Sequence, residues 1–340
     1  MRSRQVAIIT IAALAAAAGL AGLANASRPG SAHISALGPY PDLGACPVFP
    51  APPASLPATS PSQASESAWN QDISRAPIDP KSAAYIAYID SHGGDHLHPD
   101  FGPPRSYGFP YTVVGAGQRR LPIHYTAYGS ESDRGPFPIP ADAPVEGGQK
   151  SKGDRHVLVV DRASCALYEL YRAFYVPEPH PHWNADSGVS WNLRSSALRP
   201  DSWTSADAAG LPIFPGLVRY EEASDGRIDH AIRVTFDSTR NAWVHPGSHC
   251  AGDTANPAAP PMGLRLRLRP NYDLSSFSGA ARAIGIALEH YGLIVADNGS
   301  NWFLSGTSDR RWNNGNLDQL KRIPGSAFEV VKSAARIHPC

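Results

Sequence analysis

The chain has 340 residues, its 30 lysines and arginines balance 30 aspartates and glutamates, and 42% of it is hydrophobic. That length can bury a full core as one large domain or two small ones. A neutral chain without a basic run has no footprint for nucleic acid or an anionic membrane, so both partners are excluded.

Residues 1–26 combine Arg2 and Arg4, an apolar run from Val6 to about Leu23, and the small-x-small ending Ala24-Asn25-Ala26. They read as a signal peptide cut after Ala26; the alternative is an uncleaved anchor, because the run approaches bilayer length. The mature protein is therefore expected to be secreted, extracellular or periplasmic, with no membrane contact after cleavage. Residues 27–68 form a Pro-rich leader or strap, extended where "PYPDLGACPVFPAPPASLPATSP" is densest in proline. The main domain is expected over 69–332, with 333–340 as a C-terminal tail.

Cys46, Cys165, Cys250 and Cys340 suit two disulfides in an exported chain, in one of three pairings. The preferred pairing is Cys165 with Cys250 and Cys46 with Cys340. The absence of C-x-x-C argues against a zinc cluster or a redox dithiol.

"DPKSAAYIAYIDSHGG" predicts a short helix, with Asp79 as N-cap, Pro80 in the first position, Ile86 and Ile89 on one face and Gly93-Gly94 as the stop. Strands follow in "YGFPYTVVG" and "LPIHYTAYG", then two in "RHVLVVDRASCALYELYRAFYV" joined by a turn near 162–164. Further strands are expected at 189–193, 231–236, 242–245 and 264–268. In "GLRLRLR" leucines alternate with arginines, which predicts one buried and one wet face. "SGAARAIGIALEHYG" predicts a helix stopped by Gly292, and "LIVADNGSNWFLSG" a strand, a tight turn and a strand. The sum is a mainly β chain, an antiparallel β-sandwich or jelly-roll-like single domain with a few short helices.

There is no H-E-x-x-H, G-x-S-x-G, phosphate loop or dinucleotide fingerprint, so no cofactor is assigned. In "SHGGDHLHPDFG" (91–102), Asp95, His96 and His98 could suit zinc or iron. Pro99 constrains His98, and Gly, Asp and His tolerate turns. The loop is therefore read as structural or cleft-lining, with His98 and Asp100 as substrate-binding candidates and no residue assigned to a metal.

Glu131, Asp133, Glu146, Asp154, His156 and Asp161 crowd the approach to a strand. Glycan hydrolysis needs two carboxyl groups about 5–9.5 Å apart across a cleft. Asp133 and Glu146 are the chosen pair, with His156 beside them; ordinary solvated charge is the competing reading. His230 is a further catalytic candidate, against a hydrogen-bonded core histidine, and Arg233 on the opposite face of the same strand is a substrate-binding candidate. Asp297, in Asp297-Asn298-Gly299, could orient substrate or make a local turn bond. Trp183, Trp191, Trp203, Trp243, Trp302 and Trp312 lie near polar residues, as rings that stack on sugars do, or serve as core filler. Trp302 is taken as substrate-binding.

The motifs "LHPDFG", "ESDRGPFPIP", "GDRHVLVVD", "LRPDSWTSADAAGLPIFPGLVRY", "IDHAIRVTF", "PPMGLRLRL" and "YGLIVADNGSNWFLSG" together resemble a family of secreted bacterial proteins. The resemblance spans roughly residues 46–330 and implies one cooperative domain. It implies no reaction, substrate or catalytic residue.

The leading expectation is a secreted, disulfide-stabilised enzyme of extracellular polysaccharide, a glycoside hydrolase or polysaccharide lyase. In the hydrolase Asp133 and Glu146 would be acid and nucleophile or base, tuned by His156 or His230; in the lyase Arg233 would neutralise a uronate. The alternatives are a non-catalytic glycan-binding or cell-surface module and a metal-dependent secreted enzyme built on His96 and His98.

Overall fold

The structure, a computed structural model, describes residues 34–35, 43, 46, 67–103 and 107–340. The signal read at 1–26 and nearly all of the 27–68 strap lie outside the described residues. Within them, most regular structure is strand, in four sheets accompanied by short helices.

The first half of the chain supplies β1 (Ile34–Ser35), β2 (Tyr111–Val114), β3 (Ile123–Tyr125), β4 (Val157–Asp161), β5 (Ala166–Tyr171), β6 (Phe174–Val176), β7 (His182–Ala185) and β8 (Ser187–Asn192). The first sheet has the order β1-β2-β4-β5-β8, and a small sheet β3-β7-β6 lies beside it in sequence. Val157-Leu158-Val159-Val160 of β4 lacks polar alternation because both of its faces are covered. Val157 and Val159 pack with Phe137, Ile139 and Trp183, while Leu158 and Val160 pack with Val113, Leu167 and Phe214.

The second half supplies β9 (Ile232–Phe236), β10 (Arg240–Trp243), β11 (Pro261–Met262), β12 (Arg265–Leu268), β13 (Leu293–Asn298), β14 (Phe303–Leu304), β15 (Phe328–Val330) and β16 (His338–Pro339). They form the second five-stranded sheet, β14-β9-β13-β12-β15, and a small sheet β11-β10-β16. The helices are α1 (Ser82–Ser91), α2 (Tyr220–Ser224), α3 (Gly279–His290) and α4 (Asn314–Leu317). Tyr85, Ile86 and Ile89 of α1 and Ile284, Ala287 and Leu288 of α3 share one core with Ile232, Val234, Leu266, Leu293 and Val295. These positions recur at helical spacing, so each helix turns one apolar stripe onto the sheet.

The mainly β expectation with short helices holds, but the sheets are mixed rather than antiparallel throughout. β2 runs parallel to β4, β3 to β7, β9 to β13 and β10 to β11. A parallel pair needs a long crossover, and the crossover between β2 and β4 carries the acidic loops singled out in the sequence.

Four expectations change. β13 and β14 do not form a hairpin: they flank β9, one parallel and one antiparallel. The connection between them is drawn across the end of β9 because Trp302 is fully buried against Phe236 and Phe328. The arginine face of β12 is not wet, since buried Arg267 pairs with Glu329 at 2.6 Å and donates to the Ile73 carbonyl. α1 begins at Ser82 rather than Pro80: Asp79 accepts from the Lys81 N–H in a local turn, and the Ser82 hydroxyl oxygen accepts from the Val330 N–H of β15 at 2.8 Å. The disulfides join Cys46 to Cys165 and Cys250 to Cys340, with Cα atoms 5.3 and 6.5 Å apart. The preferred pairing fails because Cys165 lies in the β4–β5 turn, beside Cys46, while Cys340 follows β16, which pairs with β10.

The stop at Gly292 is as expected. Its φ is +72°, and a Cβ there would lie 2.0 Å from the Leu266 carbonyl oxygen, so only glycine fits. Two disulfides accord with an oxidising compartment. Among the described residues no helix is long and apolar enough to cross a membrane.

Candidate active site

Two adjoining hollows, about 260 and 390 Å³ in volume, share Asp154, His156, Asp297 and Asn298 as a common wall. The wall is built from both large sheets. His156 is the residue before β4, Arg233 sits on β9, and Asp297 lies near the end of β13, where the register with β9 shifts after Val295.

The loop leading into β4 is shaped by the backbone of Arg155, at φ +54°. Its buried guanidinium donates to the carbonyls of Gln149, Ser151 and Ala173. With Arg155 turned inward, Asp154 and His156 face the hollows together. Glu146 is brought alongside by its N–H, which donates to the His156 carbonyl at 3.0 Å.

His156 has both ring nitrogens engaged: Nδ1 lies 2.6 Å from a Glu146 carboxylate oxygen and Nε2 lies 2.9 Å from the Ala206 carbonyl. A carbonyl only accepts, so Nε2 carries a proton, and a carboxylate opposite Nδ1 calls for a second. Burial alone would lower this pKa; the charge and hydrogen bond of Glu146, with Asp154 adding to them, raise it to about 9. Burial would conversely raise Glu146, but the imidazolium outweighs it and holds the carboxyl below its ordinary value. His156 is thus a fixed cation at neutral pH rather than a base.

Beneath the wall, Asp207 is buried and its Oδ2 accepts from both Nε and a terminal nitrogen of Arg233, each at 2.6 Å. Asp297 reaches the same guanidinium only at 3.9 Å. Burial raises both carboxyls, and two carboxyls sharing one cation cannot both stay ionised cheaply; the two short bonds from Arg233 favour the charge on Asp207 and the proton on Asp297. Burial first, and the Asp207 charge second, push Asp297 up to about 7 against the pull of Arg233. A quarter of the Asp297 side chain stays open to the cleft. The arrangement therefore offers a carboxyl that exchanges its proton near neutrality beside an accessible second carboxyl, Asp154, over a buried imidazolium.

The structure joins Glu146 and His156 as the sequence suggested, and adds Arg233 and Asp297 to the same wall. Asp100 lines the far end of the larger hollow and pairs with Lys321 at 2.8 Å, while His98 stacks on Phe303 with Nδ1 3.2 Å from Asp100.

Three assignments are corrected. Asp133 does not line the cleft; its carboxylate accepts from Arg199 at 2.7 Å and from the Ser190 N–H at 2.9 Å, holding β8 and the 199–204 loop together. His230 is buried away from it, between the Glu222 carboxylate and the Ala231 carbonyl. Trp302, with no exposed surface and its indole N–H donated to Asp90, cannot stack on a ligand. Trp183, Trp191, Trp243 and Trp312 are buried as well, so these rings fill cores.

Asp154 was named in the acidic cluster of the sequence but not chosen, and Asp207 was not singled out. Asp154 had a usable signal, since two residues before His156 in an extended approach it shares that histidine's face. Asp207, within "SADAAG", had none: its role depends on Arg233, 26 residues away.

Glu146, Asp154 and His156 offer atoms within 4.8 Å of one another, a spacing that could hold a metal. The donor set does not fit, because ligation would strip His156 of the proton facing Ala206 or of its bond to Glu146. His96 and His98 pair with their neighbours Asp95 and Asp100, so the metal-dependent reading built on them lacks a converging third ligand among the described residues. Compared with known families, curated proteins and solved structures, the chain shows no match to any.

Proposed function

We propose that the chain is an exported enzyme that hydrolyses extracellular polysaccharide, with Asp297 as general acid. The observation carrying this reading is a half-open cleft in which Asp297, raised to about 7, still holds its proton in about half of the molecules at pH 7 while Asp154, beside it, is exposed at the lip. Glycoside hydrolysis uses such a pair, one carboxyl giving its proton to the leaving oxygen and the other acting as base or nucleophile. Asp154 takes the second role, because Glu146 is committed to His156. Tyr128, Tyr171, Ser187 and Thr204 along the smaller hollow supply rings and hydroxyls for a sugar. We read the two five-stranded sheets as the layers of a sandwich-like scaffold whose shared end holds this cleft.

Hydrolysis is favoured over elimination by the state of Arg233, which is 1% exposed and already paired with the Asp207 carboxylate, so it is not free to neutralise a uronate. Burial of Trp183, Trp191, Trp243, Trp302 and Trp312 likewise favours an enzyme over a flat glycan-binding strip, with Trp203 alone of the six half-buried. The test is a polysaccharide panel read for new reducing ends and for unsaturated uronate absorbance, with and without chelator. We expect reducing ends without unsaturation, insensitive to chelator, and a loss of about 10²–10⁴-fold in kcat for Asp297→Asn. Full activity in that variant, or binding without turnover, would overturn the assignment.

A further inference from the structure

Away from the cleft, Asp201, His245 and His338 bring a carboxylate oxygen and two ring nitrogens within 4.8 Å of one another. We propose that this trio is a zinc site that clasps the C-terminal strand to the body of the chain. Asp201 belongs to the loop before Trp203, His245 follows β10, and His338 is in β16, opposite Trp243 in the β10–β16 ladder. Three distant stretches therefore meet at one point.

The aromatic packing fixes both imidazoles. Trp243 stacks on His338, with ring centroids 4.0 Å apart and planes 3° from parallel, and meets His245 edge-on at 5.0 Å. Two residues beyond His338, the Cys250–Cys340 bridge anchors the same strand. The rings are thus oriented by ring contacts rather than through their nitrogens, of which His245 Nε2 meets only the Asp201 carboxylate of the trio itself. Among the described residues no aligned hydrogen bond engages either ring or the Asp201 carboxylate, and His245 Nδ1 is buried without any partner.

The spacing matches the chemistry. His245 Nε2 and Asp201 Oδ1 stand 3.3 Å apart, and the edge of a tetrahedron with zinc–ligand bonds of about 2.0 Å is roughly 3.3 Å. Two imidazoles and one carboxylate are a borderline donor set that suits zinc over magnesium or calcium, which prefer all-oxygen ligands. The half-exposed Asp201 and His245 leave room for water as the fourth ligand.

The experiment uses the full exported chain, purified without a polyhistidine tag, stripped with chelator and titrated with Zn²⁺ alone and with Mg²⁺ alone. Binding is read by calorimetry and by bound metal per chain, and stability by thermal unfolding. We expect one Zn²⁺ per chain, a rise in Tm with Zn²⁺ and none with Mg²⁺. In His338→Ala and Asp201→Asn, zinc affinity should fall at least tenfold, while Asp154→Asn, altering the cleft, should bind zinc as the parent does. Absence of stoichiometric zinc in the parent would overturn the proposal, as would equal affinity in His338→Ala. Circular dichroism of the stripped variants separates a lost site from a lost fold.

Discussion

Replacing Glu146 by glutamine isolates the ion pair beneath the cleft. In the folded chain His156 is raised from 6.5 to about 9, and at 1.36 kcal/mol per pKa unit the pair contributes on the order of 3 kcal/mol. The lowered Glu146 reports the same interaction and is not added again. A histidine that holds its proton more tightly when folded stabilises in full below its unfolded pKa of 6.5 and loses that contribution as pH rises through about 9. Glu146, lowered in the folded state, contributes above its unfolded value of 4.5 and loses its share as pH falls below that. The stabilisation should therefore peak between about pH 5 and 6.5 and fade by pH 10. Glutamine keeps an acceptor oxygen for Nδ1, so the expected loss at pH 6 is about 2–3 kcal/mol, or roughly 4–10 °C in Tm. Urea unfolding of both proteins from pH 5 to 10 measures the gap. A gap that stays constant across that range would refute the reasoning, because it would mean that the charge on His156 has no part in it.

Asp297→Asn should raise Tm at pH 8 and leave it unchanged at pH 4. A carboxyl whose pKa rises from 3.8 to about 7 on folding costs stability once the unfolded chain ionises; thermal scans at both pH values check the sign. Trp302→Ala should cost about 3–5 kcal/mol, measured by chemical denaturation, with KM unchanged in the folded fraction because the ring lies outside the cleft. Gly292→Ala should destabilise by at least about 1 kcal/mol, since both its φ and the Leu266 carbonyl oppose a Cβ. Replacing Cys46 and Cys165 by serine removes a bridge closing a separation of 119 residues and should cost about 2–5 kcal/mol, read as a lower urea midpoint.

Much of the secondary structure was legible because local rules decide it. The β4–β5 hairpin, α3 and its Gly292 stop follow from periodicity and from one glycine that the backbone requires. What was not legible depends on distant partners. The arginines of β12 alternate like a wet face, yet Glu329 and the Ile73 carbonyl cover Arg267 while Gln71 and the Tyr291 carbonyl hold Arg265, and no local pattern announces a buried ion pair. The strand order around β9 likewise follows from where Trp302 is buried rather than from the Asp-Asn-Gly signal. At the site, Glu146 and His156 stood out because histidine and carboxylates crowd one loop, and Asp133 stood out equally; only Arg199 and Ser190, supplied from elsewhere, distinguish its structural role. Asp207 has no distinguishing local feature, although it determines which carboxyl at the cleft keeps its proton.

The placement of β9 also bears on when the cleft can assemble. A chain emerging N-terminus first presents β9 some sixty residues before β13 and β14, the two strands that flank it. Until they arrive, Arg233 and Asp207 lack the Asp297 neighbour against which their charges are set, and the half of the wall carrying His156 faces nothing. Synthesis of nearly the whole polypeptide must precede any assembled cleft, so a nascent or truncated chain ending before residue 297 lacks the carboxyl that completes it. Degradation from the C-terminus would remove Asp297 from the wall at its first cut into β13, well before the first sheet is touched.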